Sequence, residues 1–163
     1  MKILVLSDSH RELRYMEKAV YDTTPDHIIH LGDHLADAEA LAEMFPRIPM
    51  TSVPGNCDFR TMEAQTVTVE LGGVRFFVTH GHTLGVKYGL LRLDYAAREA
   101  LAEVALFGHT HCAMHDCIDG LHLLNPGACG GSRPTCGMVE LDRERRITCQ
   151  ILHLDEREKI ECC

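Results

Sequence analysis

The chain has 163 residues, 45% hydrophobic and 25% charged, with a formal net charge of −8. That length suits one domain, residues 1–163, with a substantial core. The negative balance excludes tight binding to long nucleic acid or an anionic membrane, and no apolar run is long enough to span a bilayer.

The N-terminal run Met1-Lys2-Ile3-Leu4-Val5-Leu6 stops at Ser7-Asp8, too early for a signal peptide. The chain is therefore expected in the cytoplasm, with its eight cysteines (Cys57, Cys112, Cys117, Cys129, Cys136, Cys149, Cys162, Cys163) as thiols. None forms a Cys-x-x-Cys pair, which argues against a zinc ribbon or a thioredoxin motif. Most are expected to be small buried hydrophobes. The vicinal Cys162-Cys163 pair is expected to be exposed.

Lys2–Leu6 reads as a central strand. Leu13, Met16, Ala19 and Val20 recur at helical spacing, and Thr24-Pro25 closes that helix. His27–Leu31 is a second strand ending at Gly32-Asp33. A second helix covers about Ala36 to Phe45, with Ala38, Leu41, Ala42 and Phe45 on one face. Ile48–Val53 is a third strand, entering Pro54-Gly55-Asn56-Cys57-Asp58. Thr66–Leu71, Gly72-Gly73 and Val74–Thr79 form a hairpin that delivers His80. A third helix is predicted over Tyr88–Leu101, with Leu90, Leu91, Leu93, Ala97 and Leu101 as its apolar face. Val104–Phe107 is a short buried strand running into Gly108-His109-Thr110-His111. Two more hairpins follow, Ala113–Ile118 with Leu121–Leu124, and Cys136–Leu141 with Ile147–Leu154.

The first half is β-α-β-α-β, which implies right-handed crossovers and a parallel sheet. The second half is mostly hairpins. The economical architecture is an α/β fold of two mixed β-sheets packed face to face with helices outside. Ligands in such sheets sit at the carboxyl ends of the strands, and every polar signature falls at such an end. His109 and His111, spaced i and i+2, would share a side if extended. Together with Asp8, His10, Asp33, Asn56 and His80 they supply two carboxylates, one amide oxygen and four imidazoles. Oxygen and nitrogen donors suit borderline divalent ions. Seven are too many for one tetrahedral ion and suit two ions if a carboxylate bridges. Gly32, Gly55, Gly81 and Gly108 are read as turn residues that aim these side chains inward.

Asp8-x-His10, Gly32-Asp33, Gly55-Asn56, His80 and Gly108-His109-x-His111 stand in the order of the calcineurin-like metallophosphoesterase signature, and over residues 1 to about 127 the chain resembles that family. Gly55-Asn56-Cys57-Asp58, Thr79-His80-Gly81-His82, Gly108-His109-Thr110-His111 and Asn125-Pro126-Gly127 make it similar to the small bacterial and archaeal phosphodiesterase branch. The resemblance implies a four-layer α/β/β/α sandwich and hydrolysis of a small phosphodiester by a hydroxide bridging two divalent ions per chain. Manganese is expected, with nickel, cobalt, iron, zinc or magnesium as alternatives. Carried over by position, Asp8, His10 and His111 hold one ion, Asn56, His80 and His109 the other, and Asp33 bridges. Two dications about 3.5–4 Å apart clamp a phosphoryl group for in-line attack. Many family members carry histidine where this chain has Cys57, a poor proton donor at neutral pH. Asp33, Asn56, Asp58 and His82 are the expected catalytic set, Asp58 by orienting its neighbours and His82 as an alternative acid.

The competing readings are a phosphomonoesterase or protein phosphatase of the same family, and a protein-binding scaffold like the related retromer subunit. Cys57 and the short chain weigh against the first, the complete ligand set against the second. Self-association stays open. His27, His30, His34, His115, His122 and His153 lie outside the motifs and receive no function. Asp37 is read as a helix-surface charge and Arg133 as a solvated loop residue.

Overall fold

The computed structural model describes residues 1–59 and 62–155; the Cys162-Cys163 pair lies outside them. Among the described residues, ten strands and three α-helices occur in the order β1 (Lys2–Leu6), α1 (Leu13–Thr23), β2 (His27–His30), α2 (Leu35–Met44), β3 (Met50–Ser52), β4 (Thr66–Leu71), β5 (Val74–Thr79), α3 (Leu91–Glu99), β6 (Val104–Leu106), β7 (Met114–Ile118), β8 (Leu121–Asn125), β9 (Thr135–Leu141) and β10 (Ile147–His153). A 3-10 turn, His82–Leu84, follows β5.

Two five-stranded mixed sheets form, ordered β10-β9-β1-β2-β3 and β4-β5-β6-β8-β7. The first is parallel over β1, β2 and β3 and closes with the antiparallel β9/β10 hairpin. In the second, β5, β6 and β8 are parallel, flanked by antiparallel β4 and β7.

Alternation along the strands builds the layers. Ile3, Val5 and Ile29 turn inward to meet Val74, Phe76, Val78, Val104 and Leu106 of the second sheet. Leu4, Leu6 and Ile28 turn outward, under Met16, Ala19 and Val20 of α1 and Leu41 of α2. Phe77, Ala105 and Leu123 turn outward under Leu93 and Ala97 of α3. Each central strand is covered on both faces, which is why β1 reads as an unbroken apolar run rather than an alternating one. The result is the expected α/β/β/α sandwich. Among the described residues no helix is long and apolar enough to cross a membrane.

The third helix is shorter than its periodicity suggests. Gly89 adopts a φ of +147° and Leu101 one of +56°, so the helix is confined to Leu91–Glu99. Of its predicted apolar face, Leu93 and Ala97 are buried, whereas Leu91 and Leu101 are 67% and 74% exposed.

β1, β2, β3, β5 and β6 point their carboxyl ends at the same edge of the sandwich. Two backbone bonds stitch that edge, from Asp8 N–H to Gly32 O and from Gly108 N–H to His80 O, both 3.1 Å.

Candidate metal centre

The loops leaving these five strand ends carry all seven predicted donors. Asp8, His10, Asp33 and His111 bring one donor atom each within 4.8 Å of one another. His10 Nε2 is 3.4 Å from His111 Nε2, and His111 Nε2 is 3.0 Å from Asp8 Oδ1. On the other side of Asp33, His80 Nε2 lies 3.6 Å from Asp33 Oδ1 and 3.1 Å from Asn56 Oδ1. The His109 ring stands beside His80, centroids 5.1 Å apart. Asp33 thus borders two donor groups.

His109 and His111 are not extended. Both sit in the left-handed region, at φ values of +65° and +57°, and turn their rings to opposite groups. Same-side placement from i, i+2 spacing is therefore incorrect here, because the strand ends at Leu106 and the spacing rule applies only within a strand. Asp8, His10 and Asp33 are left-handed as well. Such backbone is uncommon for a residue with a side chain, and Asp and His are among those that tolerate it best.

The glycines act in two ways. Gly32 has a φ of +96°. Gly55 and Gly108 have no positive φ; they are there for close approach. A Cβ on Gly55 would stand 2.1 Å from Asp33 Oδ1, and one on Gly108 2.0 Å from Ser7 Oγ.

The carboxylates are held rigidly. Asp8 is fully buried; its Oδ2 accepts the Ser7 hydroxyl at 2.5 Å and the His109 backbone N–H at 3.2 Å. Asp33 Oδ1 accepts the Cys57 N–H at 2.8 Å. Burial acts to raise the Asp33 pKa, but the Cys57 N–H, the charge of His80 and weaker contributions hold it below the usual carboxylate value. His80 is buried, and its Nδ1 faces Leu31 O at 2.8 Å. As Nδ1–H is the donor to that carbonyl, Nε2 keeps its lone pair for the site.

These residues fit a metal. Asp8 Oδ1 is buried without a hydrogen-bond partner, although His111 Nε2 is 3.0 Å away, because the ring does not aim a hydrogen at it. Around an ion with bonds of roughly 2.0–2.2 Å, adjacent donors stand about 3–3.5 Å apart. The 3.0, 3.1 and 3.4 Å separations match that spacing, and the 3.6 Å one lies just beyond it. Buried carboxylate oxygen without a partner is costly unless a cation meets it.

Several neighbours support the donors, and the sequence pattern missed some. Asp58 gives both oxygens to backbone, accepting the N–H groups of His34 (3.0 Å), Leu35 (2.8 Å) and Gly55 (2.8 Å). It caps α2 and ties the Asn56 loop to the Asp33 loop. Asp37 is not a bare surface charge. It accepts from Ser9 Oγ (2.6 Å) and the Arg11 N–H (2.8 Å), anchoring the loop that carries His10. Buried Asn125 donates to Gly108 O (2.9 Å) and Thr110 Oγ1 (3.0 Å), bracing the His109–His111 turn. The His34 ring meets His10 edge-on at 5.4 Å. His82 lies 5.3 Å from the His80 ring; burial, then His80, lowers its pKa. Burial and then Asp33 raise the Cys57 thiol above its usual value. Arg133 is exposed.

Comparison with known proteins gives a consistent picture. The chain is 36% identical over 132 residues to the Bacillus subtilis (strain 168) protein named probable metallophosphoesterase YsnB, covering 78% of this chain and 75% of that one. It is 26% identical over 166 residues to phosphodiesterase MJ0936 of Methanocaldococcus jannaschii, covering 88% and 95%. The crystal structure of Entamoeba histolytica Vps29 complexed with zinc superposes with a TM-score of 0.71 over 95% of this chain and all of that one, at 16% identity, a likeness of fold. The calcineurin-like phosphoesterase superfamily domain matches residues 1–144, and the chain belongs to that metal-dependent superfamily.

Proposed function

We propose that the chain is a dinuclear metal-dependent phosphodiesterase of 163 residues forming one domain, acting on small phosphodiesters. The observation that carries this reading is the position of Asp33 between two donor groups, Asp8, His10 and His111 on one side and Asn56, His80 and His109 on the other. Two bound dications supply the Lewis acid that polarises the phosphoryl group and lowers the pKa of the attacking water. Manganese suits the donor set, as do nickel, cobalt, iron, zinc and magnesium.

The protein's own part is positioning. Asp33 is kept ionised by the Cys57 N–H and held between the two donor groups. Asp58 fixes the Asn56 loop without facing the substrate. Cys57, with its pKa raised, is a weak proton donor to a departing alkoxide, so substrates whose leaving groups need no strong acid are favoured. His82, the alternative acid, is also weakened: burial and then His80 lower its pKa and favour the neutral ring, and the N–H of a neutral imidazole is a weaker acid than a thiol. The six described cysteines are free thiols, which suits a cytoplasmic protein. The negative charge keeps it off long nucleic acid.

The test is elemental analysis after reconstitution with excess manganese, followed by phosphodiester and monoester substrates assayed with manganese, nickel, cobalt and magnesium. Two ions per chain and preferred diester turnover are expected. One ion or none, or faster monoester turnover, overturns the proposal. Two bound ions with no hydrolysis of either class would favour a scaffold role of the kind that the likeness to Vps29 suggests.

A further inference from the structure

We propose a second, separate metal site of zinc class at the open edge of the sandwich, formed by His115, His122 and Cys149. These residues come from three strands of two sheets. His115 is on β7, His122 on β8 and Cys149 on β10, and one donor atom of each lies within 4.8 Å of the others. His115 Nε2 is 3.0 Å from His122 Nδ1, and Cys149 Sγ is 3.9 Å from the same Nδ1. Around tetrahedral zinc, with bonds of about 2.0–2.1 Å to nitrogen and 2.3 Å to sulfur, nitrogens stand about 3.3 Å apart and nitrogen and sulfur about 3.6 Å. The two rings are parallel to within 3° and hydrogen-bonded nitrogen to nitrogen, so to close on an ion both must turn about their side-chain bonds.

Strand register explains the convergence. His122 pairs with Cys117 and His115 with Leu124, and paired residues share a face. Leu124 belongs to the core between the sheets, against which Cys149 also packs. His115, Cys117, His122 and Cys149 therefore all face the gap where β7 of one sheet approaches β10 of the other. Cys117 pairs with His122 across the hairpin, but its thiol is not one of the three convergent donors. Two imidazoles with one thiolate is a softer set than oxygen donors and selects zinc over magnesium or manganese. The catalytic donors carry no sulfur, so a sulfur-to-metal signal reports this site alone.

Protonation favours the site at His122 and opposes it at Cys149, whose proton the ion must displace. Burial, then His115, keeps His122 below its usual pKa and hence a neutral lone-pair donor. Burial, with Cys117 adding, pushes the Cys149 thiol up to about 12. Binding replaces the Cys149 S–H proton with the metal–sulfur bond and releases that proton to solvent. The ion would clamp the β7/β8 hairpin to β10, joining two sheets otherwise held there by apolar contact.

Cobalt(II) is the probe, because a thiolate ligand gives it a sulfur-to-metal charge-transfer absorption that oxygen and nitrogen ligands do not. The full-length chain titrated with cobalt should develop that band, with the final intensity of one thiolate-bound ion per chain beside the two ions that the dinuclear site takes up without sulfur. It should persist in Cys57→Ser, Cys112→Ser and Asp33→Asn, and vanish in Cys149→Ser. Should Cys149→Ser not fold, His115→Ala on the exposed strand reports instead. It should weaken the band's titration by more than the roughly 10–100-fold that losing an outer partner costs. No sulfur band in the wild type, a band that survives Cys149→Ser, an unchanged titration in His115→Ala, or a band lost in Cys57→Ser or Cys112→Ser overturns the proposal. Because Asp33→Asn keeps the band, failure here is distinguishable from failure of the dinuclear assignment.

Discussion

Acid should open this protein at a single buried imidazole. His30 ends β2 and is fully buried. Its Nδ1 accepts the Gly32 N–H at 3.2 Å, so the ring proton sits on Nε2, which has no hydrogen-bond partner. Burial pushes its pKa from 6.5 down to about 4, against the opposing pull of Asp58, Asp8 and Asp37. Protonation would turn the acceptor into a donor facing Gly32 N–H, at the turn that presents Asp33. The unfolded chain takes up this proton first, so the contribution is intact above pH 6.5 and drains away as pH falls towards 4. At about 1.4 kcal/mol per pH unit, the drop from 6.5 to about 4 corresponds to a loss of about 3 kcal/mol in the limit and about 2 kcal/mol at pH 5. His30→Asn isolates the effect, since an Asn oxygen can accept the Gly32 N–H without titrating. Urea unfolding at pH 7 and pH 5, with chelator throughout, should show the wild type losing about 2 kcal/mol more than the variant between the two pH values. Equal losses would refute the reasoning.

Three further outcomes test the catalytic site. Asp33→Ala should lose both ions together by elemental analysis, whereas Asn56→Ala should weaken one of them; a doubly loaded, active Asp33→Ala protein would remove Asp33 from the shared position. Cys57→Ala should leave diester hydrolysis nearly unchanged, and Cys57→His should raise turnover of monoesters with poor leaving groups by up to the roughly 10²–10⁴-fold that a positioned acid supplies. A leaving-group series checks this, and loss of diester turnover in metal-loaded Cys57→Ala would assign the thiol a direct role. Asp58→Ala frees three backbone N–H groups and should cost about 2 kcal/mol in thermal unfolding, while Asp58→Asn recovers part of it; an unchanged Tm would show that the cap contributes nothing.

Much of the fold was legible because local signals agreed with tertiary demand. The Thr66–Leu71 and Val74–Thr79 hairpin follows from alternation and Gly72-Gly73, and the observed bounds match. The convergence of the seven candidate donors on one edge was legible because each stands just beyond an apolar run, at a strand end. The start of α3 was not, because Leu90 and Leu91 continue the helical period while Gly89 breaks the backbone. Asp37 and Asn125 gain their meaning only from loops 26 to 28 and 15 to 17 residues away, which spacing cannot reveal. The His115, His122 and Cys149 cluster has no local motif at all, since three strands from two sheets assemble it.

Five of the seven donors (Asp8, His10, Asp33, His109 and His111) are held in left-handed backbone, a conformation that costs an L-residue on the order of 1 kcal/mol. The scaffold therefore keeps the site ready by holding it under tension, and folding stability and catalysis draw on the same turns in opposite directions. Glycine at these positions relaxes the turn and removes a ligand in one step. A lineage of variants selected only for heat resistance would thus lose its donors before it lost its sheets, and would end as an inert sandwich with an unstrained rim.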